Sequence, residues 1–217
     1  MTRRWMMAAC LALGWLAPVD AEEAREPAAE GGWVSLFDGK TLSGWEVVPL
    51  PGRTTKWEVK DGMLEGSGEA SMLYSPRADY KNFKYRVELK INDKGNSGMY
   101  VRSLKTPSFT DGYEIQVNST HADPIKTGSL YTLVHLYKAA NKPDTWFTQE
   151  VEVSDVDYRG KIVTKFRVTV DGELLYEYLD HDRLFKEGAF AFQQHDPGSK
   201  VTIRKVEVME LPATGSK

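Results

Sequence analysis

Thiols are almost missing from these 217 residues. Cys10 is the only cysteine, so a disulfide framework and a multi-thiolate metal site are both excluded. Excess charge of one sign is equally scarce. The chain carries 28 Lys and Arg against 31 Asp and Glu, a formal net charge of -3. Such a balance provides no electrostatic footprint for nucleic acid. No stretch sustains the 3.6-residue apolar period of an amphipathic helix. Compact metal-ligand motifs are lacking too. There is no His-Glu-x-x-His, and "NDKGNSG" does not have the spacing of an EF-hand loop.

The start of the chain reads as an export signal. Met-Thr-Arg-Arg precedes an apolar run from Trp5 to Leu16, followed by Ala17-Pro18-Val19-Asp20-Ala21 and an acidic segment from Glu22. The run is short for a membrane span, and cleavage after Ala21 is expected. Lipidation of Cys10 in "MAAC" is the alternative. Residues 22–30 read as a leader and 213–217 as a tail. Residues 31–212 are long enough for one sizeable core, with no Pro/Ser-rich linker to divide them, so one domain is expected there. The predicted location is periplasmic or extracellular, with no membrane span once the signal is removed.

Short runs of period-two alternation recur after Trp33, bounded by Gly, Asp, Asn or Pro. "KWEVKDGMLEGSG" and "FRVTVDGELLYEY" each place Asp-Gly between alternating segments, the signature of a tight hairpin turn. Further strands are predicted over 84–91, 97–104, 112–118, 145–153, 161–170, 188–195 and 200–210. Many strands, abundant turn residues and no helical pattern predict an all-β, two-sheet sandwich.

Alternation also assigns faces. In "YRVELKI" the apolar Tyr85, Val87, Leu89 and Ile91 share one side and leave Glu88 on the other. "SGMYVRS" buries Met99 and Val101 and turns Tyr100 and Arg102 outward. "GYEIQVN" and "FAFQQHD" likewise present Glu114, Gln116, Gln193 and His195 opposite their apolar partners. If these strands share one sheet, Glu88, Tyr100, Arg102, Glu114, Gln116, Gln193 and His195 meet on one surface. A solvated sheet face would suffice to explain any one of them. Together, Arg, Tyr, Gln and His suit a polar pocket that binds hydroxyls and carbonyls.

The strings "LFDGKTLSGWE", "WEVKDGMLEGSG", "NFKYRVELKINDKGNSGMYVRS", "DGYEIQVN", "TGSLY" and "FAFQQHDPGSKVTIRKVEVMEL" resemble the family long called DUF1080, the 3-keto-disaccharide hydrolase domain. The resemblance covers nearly all of the chain after its leader. It implies a jelly-roll sandwich of the concanavalin A-like lectin/glucanase type, whose concave sheet holds carbohydrate. It also implies a 3-keto-glycoside substrate. The opening "LFDGKTLSGWE" itself reads as structural, with turns at Asp38-Gly39 and Ser43-Gly44 and apolar anchors at Phe37 and Trp45.

In a 3-keto sugar the C3 carbonyl acidifies the C2–H bond. Proton abstraction and β-elimination at C1, followed by hydration, then give net hydrolysis. Such chemistry requires a base at C2–H, donors at the C3 oxygen and an acid for the leaving group. The resemblance therefore implies Glu114 and His195 as base or acid and Arg102 at the enediolate oxygen. Glu88 would orient Arg102 or act directly, and Tyr100, Gln116 and Gln193 would bind hydroxyls. Tyr131 and His135, in "TGSLYTLVHLYKAANKP", would line the pocket from a long connection; His121 and Asp123 carry less weight. A divalent ion polarising the ketone, with Glu114 and His195 among its ligands, is an open alternative. A non-catalytic carbohydrate-binding domain, with Trp146 as a stacking platform, is the rival reading.

Overall fold

The computed structural model describes residues 32–212. The expected export signal, its cleavage point, Cys10 and the tail lie outside the described residues. Among the described residues thirteen strands run in chain order. One sheet contains β1 (Val34–Ser35), β3 (Thr55–Lys60), β4 (Met63–Gly68), β6 (Phe83–Ile91), β9 (Phe147–Tyr158), β10 (Lys161–Val170), β11 (Glu173–Asp180) and β13 (Val201–Glu210). Its order is β11-β10-β9-β6-β13-β4-β3, with β1 also paired to β13. The second contains β2 (Glu46–Pro49), β5 (Ser71–Tyr74), β7 (Ser97–Ser103), β8 (Tyr113–Val117) and β12 (Ala189–Gln194), ordered β2-β5-β12-β7-β8. Every pairing is antiparallel, and no helix occurs among the described residues. The fold is the expected all-β sandwich.

Local chemistry explains the hairpins. Asp61-Gly62 joins β3 to β4 with φ of 52° and 76°, and Asp171-Gly172 joins β10 to β11 with 49° and 79°. Two consecutive positive φ values match the right-handed twist of the flanking strands, and Asp-Gly tolerates them. β6 then alternates as its sequence demands, with Phe83, Tyr85, Val87, Leu89 and Ile91 buried and the residues between them half-buried.

The inner faces meet through aromatic packing. Tyr85 of the larger sheet stacks on Phe190 of the smaller, with centroids 3.9 Å apart, and Phe83 meets the same ring edge-on at 4.8 Å. Trp45 stacks on Phe192 at 5.9 Å, while its Nε1–H donates to Leu36 O at 3.0 Å. Asp38 accepts the Lys40 and Thr41 N–H groups at 2.7 and 2.8 Å, closing the preceding turn. The opening signature thus pins the entering chain to the core, each buried aromatic contributing roughly 1.5–3 kcal/mol.

The outer face of the smaller sheet is not simply solvated. Met72, Tyr74, Tyr100, Ala189 and Ala191 form a second apolar cluster there, covered by Val48 and Phe109. All five residues of β8 are buried. Loops therefore roof this face, and the cavity described below lies beneath them.

Candidate functional site

Where β8, β7 and β12 adjoin, a cavity of about 340 Å³ opens on the outer face of the smaller sheet. Glu114 and Gln116 of β8 line it, with Gln193 and His195 from β12 and its end and Tyr131 from the loop after β8. Glu114 is 8% exposed, and its carboxyl lies over Gly98, where any Cβ would overlap Glu114 Oε1 and come within 2.6 Å of Tyr100 Cε2. Burial pushes the Glu114 pKa up to about 8, with the Asp123 charge adding to the rise and a Tyr100 hydrogen bond opposing it. At neutral pH this side chain is therefore a protonated acid. Tyr100 lies beneath the cavity: its hydroxyl donates to Phe109 O at 3.1 Å and accepts from Gln193 Nε2 at 3.0 Å. Gln116 Oε1 is occupied by the Val117 N–H at 3.0 Å.

His195 is held by its neighbours. Its ring stacks on Phe109 at 5.9 Å, and Nδ1 lies 2.7 Å from Asp196 Oδ2. Burial alone would raise the Asp196 pKa, but hydrogen bonds from His195 and the Gly198 N–H outweigh it and lower it. The ionised carboxylate fixes the proton on Nδ1 and leaves Nε2 as the free basic nitrogen.

Asn118 shapes the opposite wall. Fully buried, its Nδ2 donates to Asp123 O and Ile125 O at 3.0 and 2.8 Å, and its Oδ1 accepts the His121 N–H at 2.9 Å. The loop folds back, bringing Asp123 to the cavity and the His121 ring edge-on to His195 at 5.5 Å. Asp123 Oδ2 accepts from Tyr131 Oη at 3.0 Å. Thr132, also at the wall, sits at φ 69°, costly for a β-branched residue.

Ligand atoms of His121, His195 and Asp196 lie within 4.8 Å of one another. Two imidazoles and a carboxylate at this spacing suit a zinc-like or manganese-like ion. In the geometry shown, His121 Nδ1 accepts the Asp123 N–H at 3.1 Å, so its remaining ring nitrogen, Nε2, faces Asp196 at 3.8 Å. Glu114, expected as a ligand with His195, is not in this group.

Three expected site residues lie elsewhere. Arg102 has φ 49° at a break in the β12–β7 register between Ala189 and Ala191. Such a bulge re-aims a side chain. The 0% exposed guanidinium instead donates to Lys81 O, Asp155, Thr164 and Phe185 O. Glu88 belongs to β6, in the other sheet, where it pairs with Arg204. Consecutive strands β6 and β7 lie in different sheets, so shared parity did not mean a shared face. His135 is exposed against Tyr137, with ring centroids 6.3 Å apart. Trp146 is half-buried, its ring faced by Arg204 at 4.3 Å and Lys90 at 5.0 Å.

Residues 32–209 match the family profile of the 3-keto-alpha-glucoside-1,2-lyase-like domain. The chain belongs to this family. It is 25% identical over 180 residues to a 3-keto-disaccharide hydrolase of Bacteroides thetaiotaomicron, covering 68% of this chain and 60% of that protein. The chain thus spans about three fifths of that curated relative. Among solved structures, a putative glycosyl hydrolase from Parabacteroides distasonis superimposes with a TM-score of 0.62 at 19% identity, covering 82% of this chain and 99% of that one. A carbohydrate binding module from Bacillus subtilis gives 0.57 at 18% identity, over 77% and 96%. At these identities the structural likeness establishes the jelly-roll fold alone.

Sequence reasoning undervalued two parts of this lyase-like domain. His121 and Asp123 sit in an irregular loop whose path depends on the buried Asn118, so no periodicity marks them. Asn96 and Phe109, both lining the cavity, likewise fall outside the alternating segments. "NSG" and "HDPGS" offered only turn signals.

Proposed function

We propose that the domain cleaves 3-keto-glycosides, with His195 as the base and Glu114 as the acid. The observation that carries this reading is one cavity holding a buried, protonated carboxyl and an imidazole whose Nε2 is left free by an Asp196-bound Nδ1. His195 Nε2 takes the C2 proton. The C2–H electron pair forms C2=C3 while the ketone becomes an enediolate oxygen. Collapse restores C3=O, moves the pair to C1=C2 and breaks the C1–O bond, whose oxygen takes the Glu114 proton. Water adding at C1, with a proton returned to C2, completes net hydrolysis.

Arg102 does not reach this cavity, so the growing charge at the C3 oxygen is met by other donors. A divalent ion held by His121, His195 and Asp196 would supply Lewis-acid polarisation of a carbonyl, but a His195 bound to it could not also take the C2 proton, so the ion is the alternative to His195 as base. Rigorous chelation followed by ion re-addition tests that contribution. The N-terminal apolar run supports placing this activity outside the cytoplasm.

Purified protein incubated with 3-keto-trehalose or a chromogenic 3-keto-glucoside is expected to release product, while the parent glucosides remain intact. Saturable binding of the keto sugar without turnover would replace this reading with that of a carbohydrate-binding module.

A further inference from the structure

We propose that the cavity takes an uncharged sugar unit, held through two of its hydroxyls by the amide oxygens of Asn96 and Gln193. This rests on the reading of the cavity as the sugar site. Both residues line it, Asn96 at 2% exposure and Gln193 at 3%. Asn96 Oδ1 and Gln193 Oε1 are buried without a hydrogen-bond partner. A buried acceptor left unmade is costly, and most such groups in folded proteins are satisfied.

The orientation of Gln193 follows from its neighbours. Tyr100 Oη gives its one proton to Phe109 O or to the Glu114 carboxyl. Toward Gln193 the hydroxyl must therefore accept, which requires the NH₂ group there and fixes Oε1 on the other side. The Asn96 backbone is anchored separately, its N–H donating to Ser199 Oγ at 2.9 Å. Two buried acceptors without donors, the Gln193 oxygen oriented by Tyr100, call for a ligand that brings hydroxyl protons.

Charge narrows the class. Among the described residues lining the cavity there is no lysine or arginine, Glu114 is a neutral acid, and Asp123 is present. A hexuronate or a sugar phosphate would enter a low-dielectric space with no lysine or arginine to pair with and the Asp123 carboxylate to repel it. A neutral hexose has only hydroxyls to offer, and these match the orphan oxygens.

The test compares kcat/KM for methyl 3-keto-glucoside, its hexuronate counterpart and a mono-deoxy series, in the wild type, Asn96→Ala and Gln193→Ala. The wild type is expected to favour the neutral sugar by about a hundredfold or more. Each variant should lose about tenfold or more on the parent sugar, yet lose almost nothing further on the single deoxy sugar lacking its hydroxyl. Equal rates on neutral and acidic keto sugars would overturn the proposal, as would variant and deoxy losses that multiply at every position. The wild-type comparison requires no variant to fold. If no keto sugar is turned over, saturation-transfer NMR with methyl glucoside and methyl glucuronoside measures the same selectivity independently of the cleavage reaction. Preference for the neutral sugar there sustains this inference while the cleavage reading fails, and absence of preference overturns it.

Discussion

Glu114 couples protein stability to the acid it supplies. Its carboxyl is held over Gly98, and burial moves its ionisation from the ordinary 4.5 up to about 8. Between these values the unfolded chain sheds a proton that the folded chain keeps. The stabilisation from this residue is therefore complete below about 4.5 and drains away as pH rises toward 8, by on the order of a few kcal/mol. Glu114→Gln removes that ionisation. Melting temperatures measured from pH 4 to 9 should fall less steeply for the variant, leaving it more stable than the wild type at pH 8. Turnover at pH 6–7 should fall by about 10²-fold or more, and wild-type turnover should decline above about pH 8 as the acid loses its proton. Parallel melting profiles would show that the carboxyl ionises freely, and the assigned role would go with them.

At the scale of elements, two glycines separate backbone demand from side-chain space. Gly172 closes the β10–β11 hairpin at φ 79°, and a methyl group added there would meet nothing within 4 Å. Gly172→Ala should cost about 1–2 kcal/mol of backbone strain in urea unfolding and leave kcat/KM per folded molecule unchanged. Gly98 shows no such backbone demand, but its Cβ would collide with Glu114 and Tyr100. Gly98→Ala should cut kcat/KM at least about tenfold by displacing the acid, with a stability loss of about 1–3 kcal/mol. An active Gly98→Ala would mean that the carboxyl can work from elsewhere. The same contrast explains what could be read from sequence. Asp-Gly turns and the alternation of β6 announce themselves, because turn geometry and half-burial impose local patterns. β5 does not: Ser71, Met72, Leu73 and Tyr74 are all buried, leaving no polar phase. The parity of β7 and β8 put Tyr100 and Glu114 on one face, and the two pair across the ladder, whereas Arg102 escaped parity through a bulge in β7 itself. His121 and Asp123 depend on Asn118, three and five residues upstream, whose buried amide folds the loop by bonds that leave no periodic pattern in the sequence.

The whole molecule is two-sided, and its charges differ in role from side to side. The larger sheet carries an ion-pair lattice on its outer face: Arg86 to Glu207 at 2.5 Å, Lys84 to Glu152 at 3.4 Å, Lys165 to Glu177 at 3.0 Å, and Glu88 with Arg204. The cavity opens on the outer face of the other sheet, with both sheets and the intervening aromatic core between them. The Arg204 hydrogen bond is the main reason the Glu88 pKa is lowered. Exposed pairs of this kind contribute about 0–1 kcal/mol and are screened by salt. Glu88→Gln should therefore shift the melting temperature only slightly at low ionic strength, and not at all in high salt. Its kcat/KM on a keto-glycoside should equal that of the wild type at every pH, because no contact carries its charge across the core. A tenfold loss of turnover would reverse this assignment of sides, returning Glu88 to the chemistry that its sequence phase first suggested.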